Sequence, residues 1–131
     1  VLVRPSTTKK QLFALAVKNP HTKVFFVLDK SNRLLGSIHE DDLFVMLVPN
    51  EFFETVGLDL ALDLEGKFFA KRASEIMRKT ELFCSEEDDI LAVSLNFIEV
   101  EANEMAVLNK QNQVVGVITQ GILVRHLGKL Q

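Results

Sequence analysis

The sequence has one cysteine, no tryptophan and no tyrosine in 131 residues. A lone thiol, Cys84, forms no disulfide within the chain, and no CxxC or Cys/His spacing suits a structural metal. That usage fits a reducing, cytosol-facing compartment. Phenylalanine, present ten times, is the only aromatic, so ring stacking on single-stranded nucleic acid is not favoured. Positive charge is not in excess either. A net charge of −3 and a pI near 5.6 argue against a nucleic-acid partner held by bulk charge, while leaving room for one small anion in a local basic pocket. No apolar run approaches the ~20 residues that span a bilayer, so no direct membrane insertion is expected. Val1 is followed by Arg4 and Pro5 rather than by an apolar signal segment. A start at Val reads as the cut end of something longer, and a cytoplasmic location, or the cytosolic part of a larger protein, is expected.

Catalytic signatures are missing as well. Gly36, Gly116, Gly121 and Gly128 form neither GxGxxG nor GxxxxGK[ST], and GxSxG and HExxH do not occur. No nucleophile stands beside a plausible histidine partner. His39 and Asp42 have the spacing of an acid–base pair, but nothing around them suggests chemistry, and no enzyme activity is expected. What remains is an ordinary globular composition, 47% apolar and 25% charged, in a chain of single-domain length.

The positive signal is internal repetition. Residues 1–51 set against 81–131 without a gap give ten identities, seven of them between positions 27 and 43. The blocks LDKSNRLLGSI, from Leu28, and LNKQNQVVGVI, from Leu108, carry most of them. Each half reads as strand, helix, strand, turn, strand, helix. In the first, Leu2 and Val3 are a short strand, and Thr8 with Gln11 is a capping box that starts a helix through about Lys18. Asn19-Pro20 ends it. The apolar run Val24–Leu28 predicts a strand buried on both faces. Asp29–Arg33 is a turn, Leu34–His39 a strand, and Glu40–Val48 a helix with acids suited to its dipole. In the second half, Ala73–Met77 is a helical turn and Leu82–Cys84 a strand. Asp88 or Asp89 caps a helix to about Glu99. Met105–Asn109 and Val114–Thr119 are strands around the turn Lys110–Gln113, and Gln120–Lys129 is a helix.

This pattern, with the opening ASEIM at Ala73–Met77, resembles the cystathionine-β-synthase (CBS) domain, here as a tandem pair. The resemblance implies an α/β (α+β) fold of two pseudo-symmetric β-α-β-β-α repeats packed through their sheets. It places repeat 1 at 1–48, truncated at its N-terminus, a connector at 49–70 and repeat 2 at 71–131. It also implies a regulatory module: an adenosine nucleotide (AMP, ADP or ATP) bound between the repeats, a homodimer, and an effector domain in the same or another chain. The competing expectation is a ligand-free dimerisation or scaffold module.

The family's ligand motif runs from the strand glycine: Gly, two residues, Thr or Ser, two residues, Asp. A hydroxyl and backbone N–H groups at a helix start suit phosphate, and the aspartate suits two ribose hydroxyls. Here the motif is divided. Repeat 1 has Gly36, His39 and Asp42, and repeat 2 has Gly116, Thr119 and Ile122. Charge favours repeat 1, flanked by Thr22, Lys23 and Arg4, over repeat 2, flanked by Glu99, Glu101 and Glu104. The expected ligand set is Asp42, His39, Ser37, Thr22, Lys23 and Arg4, with His39 as an imidazolium at low pH. Thr119 marks the second cleft, and Arg125 and His126 are placed to reach toward the first. Each has a plainer alternative: helix capping for Asp41, Asp42 and Thr119, and solvation for His39, Arg125 and His126. The run Ser85–Asp89 reads as capping before it reads as a cation site, and Cys84 as an inert core thiol. In the connector, Asn50 caps a short helix carrying Phe52, Phe53 and Val56, and LDLALDLE alternates as an amphipathic strand or an edge against a partner. The segment has two readings: packing on the module's own helices, or a dimer or effector-domain contact.

Overall fold

The computed structural model describes residues 1–47 and 69–131. The expectations for the connector helix and for LDLALDLE fall outside these residues. The described chain forms β1 (Leu2–Val3), α1 (Lys9–Lys18), β2 (Val24–Leu28), β3 (Leu34–His39), α2 (Glu40–Val45), α3 (Ala73–Ile76), β4 (Phe83–Ser85), α4 (Ile90–Glu99), β5 (Glu104–Leu108), β6 (Val114–Thr119) and α5 (Gln120–Gly128). Two three-stranded sheets result, in the orders β1-β2-β3 and β4-β5-β6. The mixed α/β pattern of the sequence is therefore the fold. By compactness the chain divides into one unit of residues 1–27 and 36–78 and another of residues 28–35 and 79–131.

In the first unit, the capping box at Thr8 is present in both halves. Gln11 N–H donates to Thr8 Oγ1 (3.2 Å), and Thr8 N–H donates to Gln11 Oε1 (2.9 Å). Leu12 of α1 points into a core with Val3, Phe25, Val27, Ile38 and Leu43. All five residues of β2 are buried, as a continuous apolar run requires. The segment that opens repeat 2 in sequence packs on this unit. Ala73 N–H donates to Thr7 O (2.8 Å) and Ser74 N–H to Pro5 O (3.0 Å), while Ala73 and Ile76 join the core.

The second unit has a core of Cys84, Val93, Phe97, Ala102, Met105 and Leu123. β4 runs parallel to β5, and β5 antiparallel to β6. The two turns 29–33 and 109–113 match atom for atom. Asp29 Oδ1 accepts from the N–H groups of Ser31 and Arg33, and Asn109 Oδ1 accepts from those of Gln111 and Gln113. Asn32 and Asn112 both take left-handed backbone, φ 65° and 62°. Asparagine tolerates that region better than most residues, which gives the identity at these positions a backbone cause.

One expectation needs correction: the repeat is not ungapped. From β2 and β5 onward the offset is 80, but α1 and α4 are offset by 81. Strand register agrees, since Val3 pairs with Val27 and Cys84 with Val107. The extra residue lies in the loop after the first helix, five residues (19–23) against four (100–103). The longer loop turns through Asn19-Pro20. The shorter one closes in a Schellman motif: Ala102 N–H donates to Phe97 O and Glu101 N–H to Ile98 O, with Glu101 at φ 53°. The matches Leu2/Leu82 and Leu15/Leu95 therefore do not join equivalent positions, and Leu12 corresponds to Val93.

Candidate functional site

β3 runs directly into α2, so His39 is both the last strand residue and the helix N-cap, in extended backbone (φ −98°, ψ 156°). That geometry turns Asp42, three residues on, back toward the strand end. His39 N–H donates to Asp42 Oδ2 at 2.8 Å. The aspartate side of the capping alternative is therefore realised. Asp42 is only 1% exposed, and a buried carboxylate needs a partner. The partner is Arg78, a residue the sequence did not point to. Its Nη2 donates to Oδ1 (3.2 Å) and Oδ2 (3.1 Å) of Asp42.

Arg78 is brought there by its backbone. Ser37 N–H donates to Arg78 O (2.9 Å), and Arg78 N–H donates to Ser37 O (3.0 Å). The chain at Met77–Arg78 thus forms an antiparallel bridge on the outer edge of β3. Gly36 permits it, because a Cβ there would lie 2.5 Å from the Arg78 carbonyl oxygen. Signals for Arg78 existed in the sequence, though separately: an aspartate one turn into a helix that follows a buried strand, and an arginine just after ASEIM.

Ser37 is fully buried, and its Oγ lies 3.0 Å from His39 Nε2. Burial, followed by the Arg78 charge, lowers the His39 pKa from 6.5, with Asp42 and Asp41 opposing. The imidazolium expected at low pH therefore forms at lower pH than in a free histidine. Ser37, His39 and Asp42 therefore form one cluster, completed by Arg78. Lys23 sits at its border, with Nζ 3.9 Å from Glu40 Oε1 and both side chains more than half exposed, a pair worth little in stability. Arg4 N–H donates to Thr7 Oγ1, and Thr22 N–H donates to Asn19 O, each within its own turn.

Repeat 2 arranges the matching residues differently. Thr119 is the N-cap of α5, and its Oγ1 accepts from Ile122 N–H at 3.2 Å. Ile122, in the place of Asp42, is 44% exposed. Arg125 and His126 are exposed in the last turn of α5, where cations suit the helix dipole. Glu104, expected beside a cleft, is buried, and Glu101 serves the helix end. The acids after β4 cap: Asp88 Oδ2 accepts from Ser85 N–H, and Asp89 Oδ1 from Leu91 N–H. Cys84 is buried, and burial followed by the Asp88 charge raises its thiol pKa. Separately, a groove of about 540 Å³ in the second unit is lined by Asp29, Arg33, Lys79, Thr80, Phe83 and Asn112 among others. None of the sequence-expected ligand residues lines it.

Comparison with known proteins agrees with the geometry. The CBS-domain profile matches residues 1–48 and 73–129. CBSX2, a CBS-pair protein of Arabidopsis thaliana solved in complex with AMP, is 20% identical, with a TM-score of 0.77 over 99% of this chain and 88% of that one. Staphylococcus aureus OpuCA is 14% identical, with a TM-score of 0.69 over 100% and 92%. The cytosolic domain of the Mg2+ channel MgtE in complex with ATP is 18% identical, with a TM-score of 0.68 over 100% of this chain and 44% of that one. A search of curated protein sequences gives no match. At these identities the solved structures show the fold alone. The profile, with two matched regions over two duplicated halves, shows the family: the chain belongs to the CBS-domain proteins and is a tandem CBS pair.

Proposed function

We propose that this CBS pair is a regulatory ligand sensor whose repeat 1 takes an adenosine nucleotide, AMP, ADP or ATP, at the start of α2. The observation that carries the reading is the cluster of Ser37, His39, Asp42 and Arg78: a carboxylate one turn into a helix, with a hydroxyl and a neutral imidazole before it and a half-exposed guanidinium beside it. AMP and ATP in structures of similar fold support it. In this reading the ribose hydroxyls replace Arg78 at Asp42, and the released guanidinium meets phosphate. Arg4, Thr22 and Lys23 supply the remaining polar contacts. Regulation then follows from differential affinity: the ligand shifts the population toward the state of the module that binds it more tightly. The module would work as a homodimer and report to an effector domain in the same or another chain.

A second reading, a ligand-free scaffold, is favoured by one observation: both oxygens of Asp42 already hold donors. Thermal midpoints with AMP, ADP and ATP in excess separate the two. A nucleotide at a hundred times its Kd stabilises by ~2.7 kcal/mol. The sensor reading expects a rise of several degrees in the wild type that disappears in Asp42→Asn. An unchanged midpoint with every nucleotide leaves the scaffold, and a shift that survives Asp42→Asn moves the site elsewhere.

A further inference from the structure

The two repeats carry charge of opposite sign. Residues 1–28 hold Arg4, Lys9, Lys10, Lys18 and Lys23 and no aspartate or glutamate. Residues 82–108, which match them, hold seven acids, among them Asp88, Asp89 and Glu99, and no lysine or arginine. The contrast reaches the surface on the matched helices. In α4, Leu91, Leu95 and Ile98 lie along one side at helical spacing, each at least 60% exposed. Asp88 and Asp89 precede this stripe and Glu99 ends it. The matching residues of α1 are Lys10, Ala14 and Val17, also exposed, and Lys18 stands in the place of Glu99. They are exposed although Ala73–Ile76 packs on the same unit, so in repeat 1 the segment that opens a repeat leaves this side of the helix uncovered. Beside it α1 carries an open groove of about 380 Å³ lined by Thr7, Gln11, Ala14, Leu15 and Lys18.

An exposed apolar stripe rimmed by charge marks an interaction surface, and the charge says what covers it. Against a second α4 the stripe would meet its like, but acids would face acids at both ends. Against a second α1, Lys10 and Lys18 would face lysines with little apolar surface between them. Crossed, the two faces are complementary. The ridge of Leu91, Leu95 and Ile98 enters the groove along α1, where the small Ala14 permits close approach, and the cations at both ends of α1 meet the acids at both ends of α4. Among the described residues Lys10, Lys18 and Glu99 make no ion pair of their own. We infer that α1 of one copy of this chain docks on α4 of a second copy. Made in both directions by two copies, the contact gives a closed two-fold dimer. Like charges select against the pairing of identical helices. This rests on the homodimer of the proposed reading and names its surfaces, and it requires no bound nucleotide.

Sedimentation equilibrium of the full chain, with substitutions at exposed positions, is the test. The wild type is expected to be a dimer that weakens as salt is raised, because the rim charges are screened. Lys10→Glu/Lys18→Glu sets acids against acids and is expected to raise the dimer Kd at least about tenfold. Adding Glu99→Lys to that same chain restores opposite charge across the contact and is expected to lower the Kd again by about threefold or more. A monomeric wild type, or an open series of larger species, overturns the inference. So does a dimer whose Kd is unchanged by Lys10→Glu/Lys18→Glu, as pairing of identical helices would give, and so does a loss that Glu99→Lys deepens or leaves as it was. Thermal midpoints with AMP, ADP and ATP are read on the same chains. Positions 10, 18 and 99 lie outside the cluster of Ser37, His39, Asp42 and Arg78, so a nucleotide shift kept where the predicted dimer fails overturns the interface alone. A dimer that behaves as expected, with no nucleotide shift, upholds the interface and overturns the sensor reading alone.

Discussion

In repeat 1 the residues Gly36, Ser37 and Ile38 are buried under a crossing segment, and Asp42 below them is paired with an arginine. In repeat 2 Gly116, Val117 and Ile118 stand half-exposed, and Ile122 below them pairs with nothing charged. The polar change at 42/122 and the change in edge cover belong together. A buried aspartate is tolerated where an arginine is delivered to it, and the isoleucine in its place in repeat 2 needs no such partner. The same glycine thus has a steric reason at 36 that no described residue supplies at 116.

The sharpest way to break that contrast is at the glycines. Gly36→Ala drives a methyl into the Arg78 carbonyl and is expected to cost about 3 kcal/mol in urea unfolding, the upper range for an overpacked site. Gly116→Ala is expected to stay within about 0.5 kcal/mol. Equal losses would mean that the crossing segment is not what demands the glycine. Next comes the pair itself. Arg78→Ala takes the guanidinium from a buried carboxylate, and a loss of about 2 kcal/mol is expected, below the range for a fully buried pair because Arg78 is half solvated. Ile122→Ala, measured alongside, is expected to lose less than about 1 kcal/mol.

Smaller effects test the helix ends. Thr119→Ala removes the α5 cap and is expected to cost about 1 kcal/mol. Glu101→Gly relieves left-handed backbone at the end of α4 and is expected to gain up to about 1 kcal/mol; a loss would show that the Glu101 side chain carries an interaction of its own. The smallest is a pH effect confined to repeat 1, whose N-cap is His39 where repeat 2 has Thr119. Because the folded-state pKa of His39 lies below 6.5, the unfolded chain takes up the proton first as pH falls. Its stabilising contribution is complete above pH 6.5 and is lost through the interval down to the folded pKa. Thermal midpoints at pH 7.5 and 5.5 should therefore fall further apart in the wild type than in His39→Gln, and parallel curves would remove His39 from the account.

Most of the fold was legible because local rules determine it. The Thr8–Gln11 box, the buried run at Val24–Leu28 and the twin turns each act within a few residues. The helix cap at Asp89 and the order of elements follow from the same rules. The missed gap has a local cause too. Chance leucine matches at 2/82 and 15/95 hid it, because apolar residues at helical spacing resemble each other whether or not they are equivalent. The site was legible only on one side. Asp42 and His39 lie in a motif, whereas Arg78 reaches them through a long-range backbone bridge that no periodicity records. The outcome at Asp42 turned on that arginine, and the lowered His39 pKa on burial with the arginine second.

The one-residue difference between the loops after α1 and α4 sets where the halves are interchangeable. A hybrid chain in which Val24–Leu43 gives way to Glu104–Leu123 preserves the count, because both crossover points lie where the offset is 80. A crossover inside α1 shifts the frame by one residue and turns its apolar face by about 100°, unless the recipient's whole loop travels with it. Recombination between the halves is thus permitted at the second strand and penalised in the first helix.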